Sequence, residues 1–138
     1  MNKISVAILG QLTTIQQISD RFQSHPELEL SVSATDPTVL IQGVEQFNPQ
    51  VILLEVALSC TKIPDCIHRI QAHQPETKCI ILAHQLNVAH VRQTILAGAT
   101  GYLLIEPNLD DLAISIRLVH SGKFICSATI AALLTSPG

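Results

Sequence analysis

Residues 51–56, VILLEV, form an apolar run interrupted by a single carboxylate, Glu55. A short run this apolar reads as a strand buried on both faces, the pattern of a parallel sheet with helices packed on either side. Such sheets need long crossover connections, so a helix is expected before and after the run.

Working outward, the expected neighbours are present. Upstream, Asp36 suits an N-cap and Pro37 a first helical position, for a helix carrying Val39, Leu40 and Val44 that ends at Asn48-Pro49. Before it, Leu28, Leu30 and Val32 alternate as a second strand. Leu12, Ile15, Ile18 and Phe22 recur at helical spacing, and ISVAIL (4–9) is a first strand. Downstream, a loop leads to a helix with Ile67 and Ile70, then KCIILA (78–83) as the fourth strand. A helix with Val88, Val91, Ile95 and Leu96, taken as core positions, follows. The turn AGATG enters YLLI (102–105), the fifth strand, and Asn108 caps a last helix facing inward with Leu112, Ala113, Ile116 and Val119. Five strands alternating with five helices imply a doubly wound (βα)5 α/β fold with right-handed crossovers.

Composition limits what such a domain does. The 138 residues are 47% hydrophobic and 14% charged, with a formal net charge of −3. A single domain is expected. No basic run marks a nucleic-acid surface, so any contact with DNA belongs to an output domain outside this chain. Cys60, Cys66, Cys79 and Cys126 show no CxxC spacing, and no signal peptide or membrane-length apolar segment is present. A soluble, reduced, cytoplasmic protein is expected.

Three segments carry a family resemblance. NPQVILLEV (48–56) resembles the strand that bears the phosphate-accepting aspartate of response-regulator receiver domains. ILAGATGYLL (95–104) is similar to the family's segment leading into the fifth strand, and LAISIRLVHSGKFICSATIAALL (112–134) resembles its last helix and extension. The type resembled is that of NarL/LuxR regulators. The resemblance implies a flavodoxin-like strand order 2-1-3-4-5, with a receiver-like domain over residues 1–121 and an extension, 122–138, toward a linker or output domain.

The same resemblance assigns positions to the phosphorylation chemistry. The acidic pair that holds magnesium falls on Gly10 and Gln11, the phosphoacceptor on Glu55, the switch hydroxyl on Ala83 and the lysine on Ile105; the switch aromatic is retained as Tyr102. Magnesium prefers several oxygen ligands in near-octahedral array, and phosphoryl transfer rests on positioning and charge neutralisation. Gly10 has no side-chain oxygen, Gln11 only a neutral one, Ile105 no cation and Ala83 no hydroxyl. A degenerate receiver, or pseudo-receiver, is therefore expected, with no enzymatic activity, no catalytic residue, no metal and no cofactor. Glu55 is left with two readings, a built-in mimic of the phosphorylated state and an acid at the rim touching water or backbone N–H groups.

The remaining candidates have plainer readings beside them. His84 and His90 flank the end of the fourth strand and form a conceivable His/His/Glu set with Glu55, but six-residue spacing with one carboxylate is no metal pattern, and solvated histidines are expected. Cys60 and Cys66 make a conceivable redox pair without the positive surroundings a thiolate needs. Ile114 and Leu118, four apart, form a second apolar stripe on the last helix. Either the tail covers it through Phe124, Ile125 and Ile130, or it is an interface. The expected function is signal transduction or transcription regulation by phosphorylation-independent contact with a second copy or another protein. The alternatives are a cryptic phosphoacceptor using Glu55 and a ligand- or redox-sensing domain.

Overall fold

Six parallel strands hydrogen-bond in the order β2-β1-β3-β4-β5-β6 in a computed structural model of the chain. It describes residues 3–56, 63–85, 87–105 and 111–126. The strands are β1 Ile4–Leu9, β2 Leu28–Ala34, β3 Val51–Val56, β4 Lys78–Ala83, β5 Gly101–Leu104 and β6 Ile125–Cys126. The helices are α1 Leu12–Phe22, α2 Pro37–Phe47, α3 Ile63–His73, α4 Val88–Ala97 and α5 Leu112–His120. This is the receiver-like, flavodoxin-like fold, with the expected order 2-1-3-4-5 extended by one edge strand. Two residues are too few to show a period, so β6 left no trace in the sequence pattern.

The sheet divides the core in two. Ala7, Ile52, Leu54, Cys79 and Ile81 face α2, α3 and α4, whereas Val6, Ile8, Val51, Leu53, Ile80 and Leu82 face α1 and α5. Both layers are fully covered, which is why the central strands read as continuous apolar runs. The helix ends obey local chemistry. Asp36 accepts the Thr38 N–H at 2.7 Å with Pro37 beginning α2, and Asn48 closes that helix in the left-handed region at φ 49°. Asn87 accepts the His90 N–H at 3.0 Å, and Gly98, φ 119°, ends α4.

Several apolar helix positions lie outside the core, Val88 and Leu96 against expectation. Leu12, Val39, Val88 and Leu96 are exposed, Leu96 at 86%. In α1 the buried positions are Thr14, Ile18 and Phe22, so the inward stripe starts on a hydroxyl and not on Leu12. In α4 it runs through Val91, Thr94 and Ala97, which turns Leu96 to solvent. β5 spans 101–104, with the buried Ile105 just past its end. Asn108 lies outside the described residues. Ile114 and Leu118 stay 52% and 39% exposed, and Phe124 is exposed too; Ile130 is outside the described residues. No helix among the described residues is long and apolar enough to cross a membrane.

Candidate functional site

The alternation of strand side chains brings the site together. Val51 and Leu53 face α1, so Glu55 does as well, at the carboxyl end of β3. Ile4, Val6 and Ile8 face the same way in β1, and Gly10 comes next in that series; Ile80 and Leu82 do so in β4, followed by His84. Position 10, Glu55 and His84 therefore converge beneath the first turn of α1, at the edge where open parallel sheets bind ligands.

Glu55 is 4% exposed, and its carboxylate is surrounded by donors. Oε1 accepts the Gln11 backbone N–H at 2.7 Å. Oε2 accepts the Thr14 hydroxyl at 2.7 Å and lies 2.5 Å from Nε2 of His84. A carboxylate has no proton to give, so the imidazole donates through Nε2, leaving Nδ1 free of this contact. Gln11 precedes α1 and makes no side-chain cap. The Glu55 carboxylate takes over that role from across the sheet, where the helix dipole also favours negative charge.

Gly10 makes the arrangement possible. A Cβ at position 10 would stand 2.6 Å from Oε1 of Glu55 and 3.2 Å from its Cβ. The longer glutamate and the bare glycine are thus size-complementary: the carboxylate occupies the room a side chain at position 10 would need.

The magnesium implied by the receiver resemblance does not fit these residues. Both Glu55 oxygens already accept hydrogen bonds, Gly10 supplies no ligand, and the exposed Gln11 supplies only an amide. A divalent ion here would have one carboxylate, and that one only after displacing its donors. Among the described residues no cluster of three or more His, Cys, Asp or Glu forms a metal site.

The structure assigns the remaining candidates as follows. Ala83 is the buried last residue of β4 and packs with α3 and α4, and Ile105 packs on the α1 and α5 side; neither offers a polar group. Tyr102 is wholly buried, with its hydroxyl 3.1 Å from Nδ1 of His90. Of the two histidines expected to be solvated, His84 is exposed and His90 is not. The His84 side chain is 51% exposed but bound to Glu55, and His90 is half-buried on Tyr102. Glu55 meets a backbone N–H as one reading held, but inside the fold and not at its rim. Cys66 and Cys79 are buried, and burial pushes the Cys79 thiol up to about 12, far from a reactive thiolate. Cys60 lies outside the described residues.

Sequence reasoning missed Thr14, and it placed His84 near Glu55 only as part of a conceivable metal set and not as its hydrogen-bond partner. The available signals were the Thr14-Ile18-Phe22 spacing and the parity of Ile80, Leu82 and His84.

No family model matches the chain. Among curated proteins it is 25% identical over 122 residues to the transcriptional regulatory protein DegU of Brevibacillus brevis, covering 88% of this chain and 52% of that protein. It is 28% identical over 137 residues to the uncharacterized transcriptional regulatory protein YxjL of Bacillus subtilis, covering 98% and 62%. The chain thus spans about half to three-fifths of the curated relatives it matches. Among solved structures, the isolated receiver domain of RcsB from Salmonella enterica serovar Typhimurium superposes with a TM-score of 0.83 at 18% identity, covering 96% of this chain and 99% of that one. A LuxR-family response regulator from Aurantimonas gives 0.86 at 14% identity, covering 97% and 96%. A further RcsB structure, of two dimers bound to two DNAs, gives 0.84 at 19% identity over 96% of this chain and 68% of that one. The strand order and the end-to-end superposition show a receiver-like fold, and the two curated likenesses are to transcriptional regulatory proteins.

Proposed function

We propose that the chain is a receiver domain of the LuxR/NarL response-regulator type and, within it, a pseudo-receiver, which signals by protein contact and not by aspartyl-type phosphorylation. The observation that carries the reading is the Glu55 carboxylate, buried and held by Gln11, Thr14 and His84. A phosphoacceptor needs a free oxygen, a divalent ion and a cation to meet the developing charge. At the positions in question the chain offers an engaged oxygen, a glycine and an isoleucine. The domain does no catalysis of its own.

The setting we propose is a cytoplasmic transcription regulator whose output domain touches DNA. The curated relatives are named transcriptional regulatory proteins, and the chain corresponds to about half to three-fifths of each. The contact is with a second copy or another protein, and RcsB, of the same fold, is seen as dimers on DNA. Ile114 and Leu118 on the outer side of α5 are the proposed contact residues, both part-exposed. The two leucine and isoleucine side chains gain most where a partner removes them from water.

Intact-mass measurement after incubation with acetyl phosphate and magnesium tests the chemistry. The mass is expected to stay unchanged. A phosphate-sized gain that disappears in Glu55→Gln would overturn the proposal.

A further inference from the structure

The segment from the end of β4 into α4 carries two histidines, bound in opposite ways. His84 has an acceptor, Glu55, whichever charge state its ring adopts. His90 has none. It is the third residue of α4, half-buried, with its ring edge-on to Tyr102 at a centroid distance of 6.1 Å. Its Nδ1 faces the Tyr102 hydroxyl at 3.1 Å, and its Nε2 is enclosed with no hydrogen-bond partner among the described residues.

We propose that His90 is an acid-operated release for α4: protonating its ring detaches the first helical turn from Tyr102 and loosens the helix on the sheet. In the neutral ring one nitrogen bears a proton and the other a lone pair, so the contact with Tyr102 is made through either tautomer. The imidazolium has N–H groups at both nitrogens. Nε2–H then becomes a charged donor with nowhere to point, which costs far more when buried than a neutral orphan. The charge would also sit in the first turn of a helix, where the backbone dipole is already positive.

The described surroundings offer no compensation. From β5 the facing group is Tyr102, whose phenol burial keeps protonated. The end of β4 brings His84, engaged with Glu55. From α3, Gln71 is bonded to the carbonyl of Gly98, at the far end of the helix from His90. On α4 itself the only formally charged side chain is Arg92, of the wrong sign. Among the described residues no carboxylate lies within ion-pair distance of His90.

Burial holds the His90 ring below the ordinary histidine range. The docked helix therefore refuses a proton that a released, solvated ring accepts. Docking is at full strength above the ordinary histidine value, about 6.5, and weakens as pH falls below it. Because His84 keeps Glu55 in both charge states, the start of the segment stays anchored and release is confined to α4. The inference holds whether or not Glu55 is ever phosphorylated.

Hydrogen–deuterium exchange of the whole chain at about pH 7.5 and about pH 5.5, corrected for intrinsic rates, tests it. Peptides covering 88–97 are expected to exchange up to roughly tenfold faster at the lower pH relative to the β1 and β3 peptides, the factor one pH unit of proton uptake supplies. In His90→Phe, which keeps a ring against Tyr102, the acceleration is expected to vanish. Equal acceleration in both proteins, or none in the unmodified one, overturns the proposal. If His90→Phe fails to fold, NMR titration of the unmodified protein decides: the amides of 88–91 should move with the His90 ring, and a ring that titrates without them overturns it.

Discussion

Glu55→Ala is expected to lower the stability of the domain by about 3 kcal/mol, the net worth of a charged hydrogen-bond cluster together with the donors it leaves behind. The loss has three parts. The Gln11 N–H loses the acceptor that capped α1, and the Thr14 hydroxyl, 3% exposed, loses its partner in the core. The third is the tie from β3 to His84, the smallest part because that ring reaches water. The threonine can turn back to a helix carbonyl, which keeps the total from rising further. Glu55→Gln should cost less, about 1–2 kcal/mol, since the shape survives and only one oxygen is exchanged for a donor facing donors. Urea denaturation measures both. A cost for alanine under about 0.5 kcal/mol, the range of ordinary surface changes, would show that the carboxylate is not built into the fold.

Gly10→Ala should destabilise by about 1–3 kcal/mol, the usual cost of forcing atoms into a filled core. The reason is local: the added carbon meets Oε1 of Glu55 at 2.6 Å, with the carboxylate held in place by its donors. The backbone at position 10 needs no left-handed conformation, so sterics alone set the cost. Shortening the acid should relieve it. In a double-mutant cycle with Glu55→Asp, the pair should be more stable than the sum of the singles by about 1 kcal/mol, as for residues in contact. Additive effects would mean that positions 10 and 55 do not compete for the same space.

The architecture was legible because apolar periodicity reports directly on burial. VILLEV and KCIILA announced buried strands, and Asp36-Pro37 announced a helix start. The departures from the family's phosphorylation residues were legible as well, since side-chain identity alone settles that glycine brings no side-chain ligand and alanine no hydroxyl. The hydrogen bonds that hold Glu55 were not. The Glu55 network joins β3, α1 and the residue after β4, and only the register of three parallel strands sets those distances. Thr14 reads as an ordinary polar helix residue until Glu55 is seen above it. Leu96 misled for a related reason: on a weakly amphipathic helix, one residue's rotation separates core from solvent. His90 looked like a surface residue because an Asn-capped first turn usually is one; the buried Tyr102 beneath it changes that.

Whether the Glu55 oxygens are spent inside the fold decides if the site can hold a divalent ion. Amide NMR of the folded domain during a magnesium titration into the millimolar range asks this directly. The signals of Gln11, Thr14 and Glu55 should show no saturable shift, because displacing three donors from a lone carboxylate costs more than the ion returns. A saturable shift centred on those residues would contradict the account.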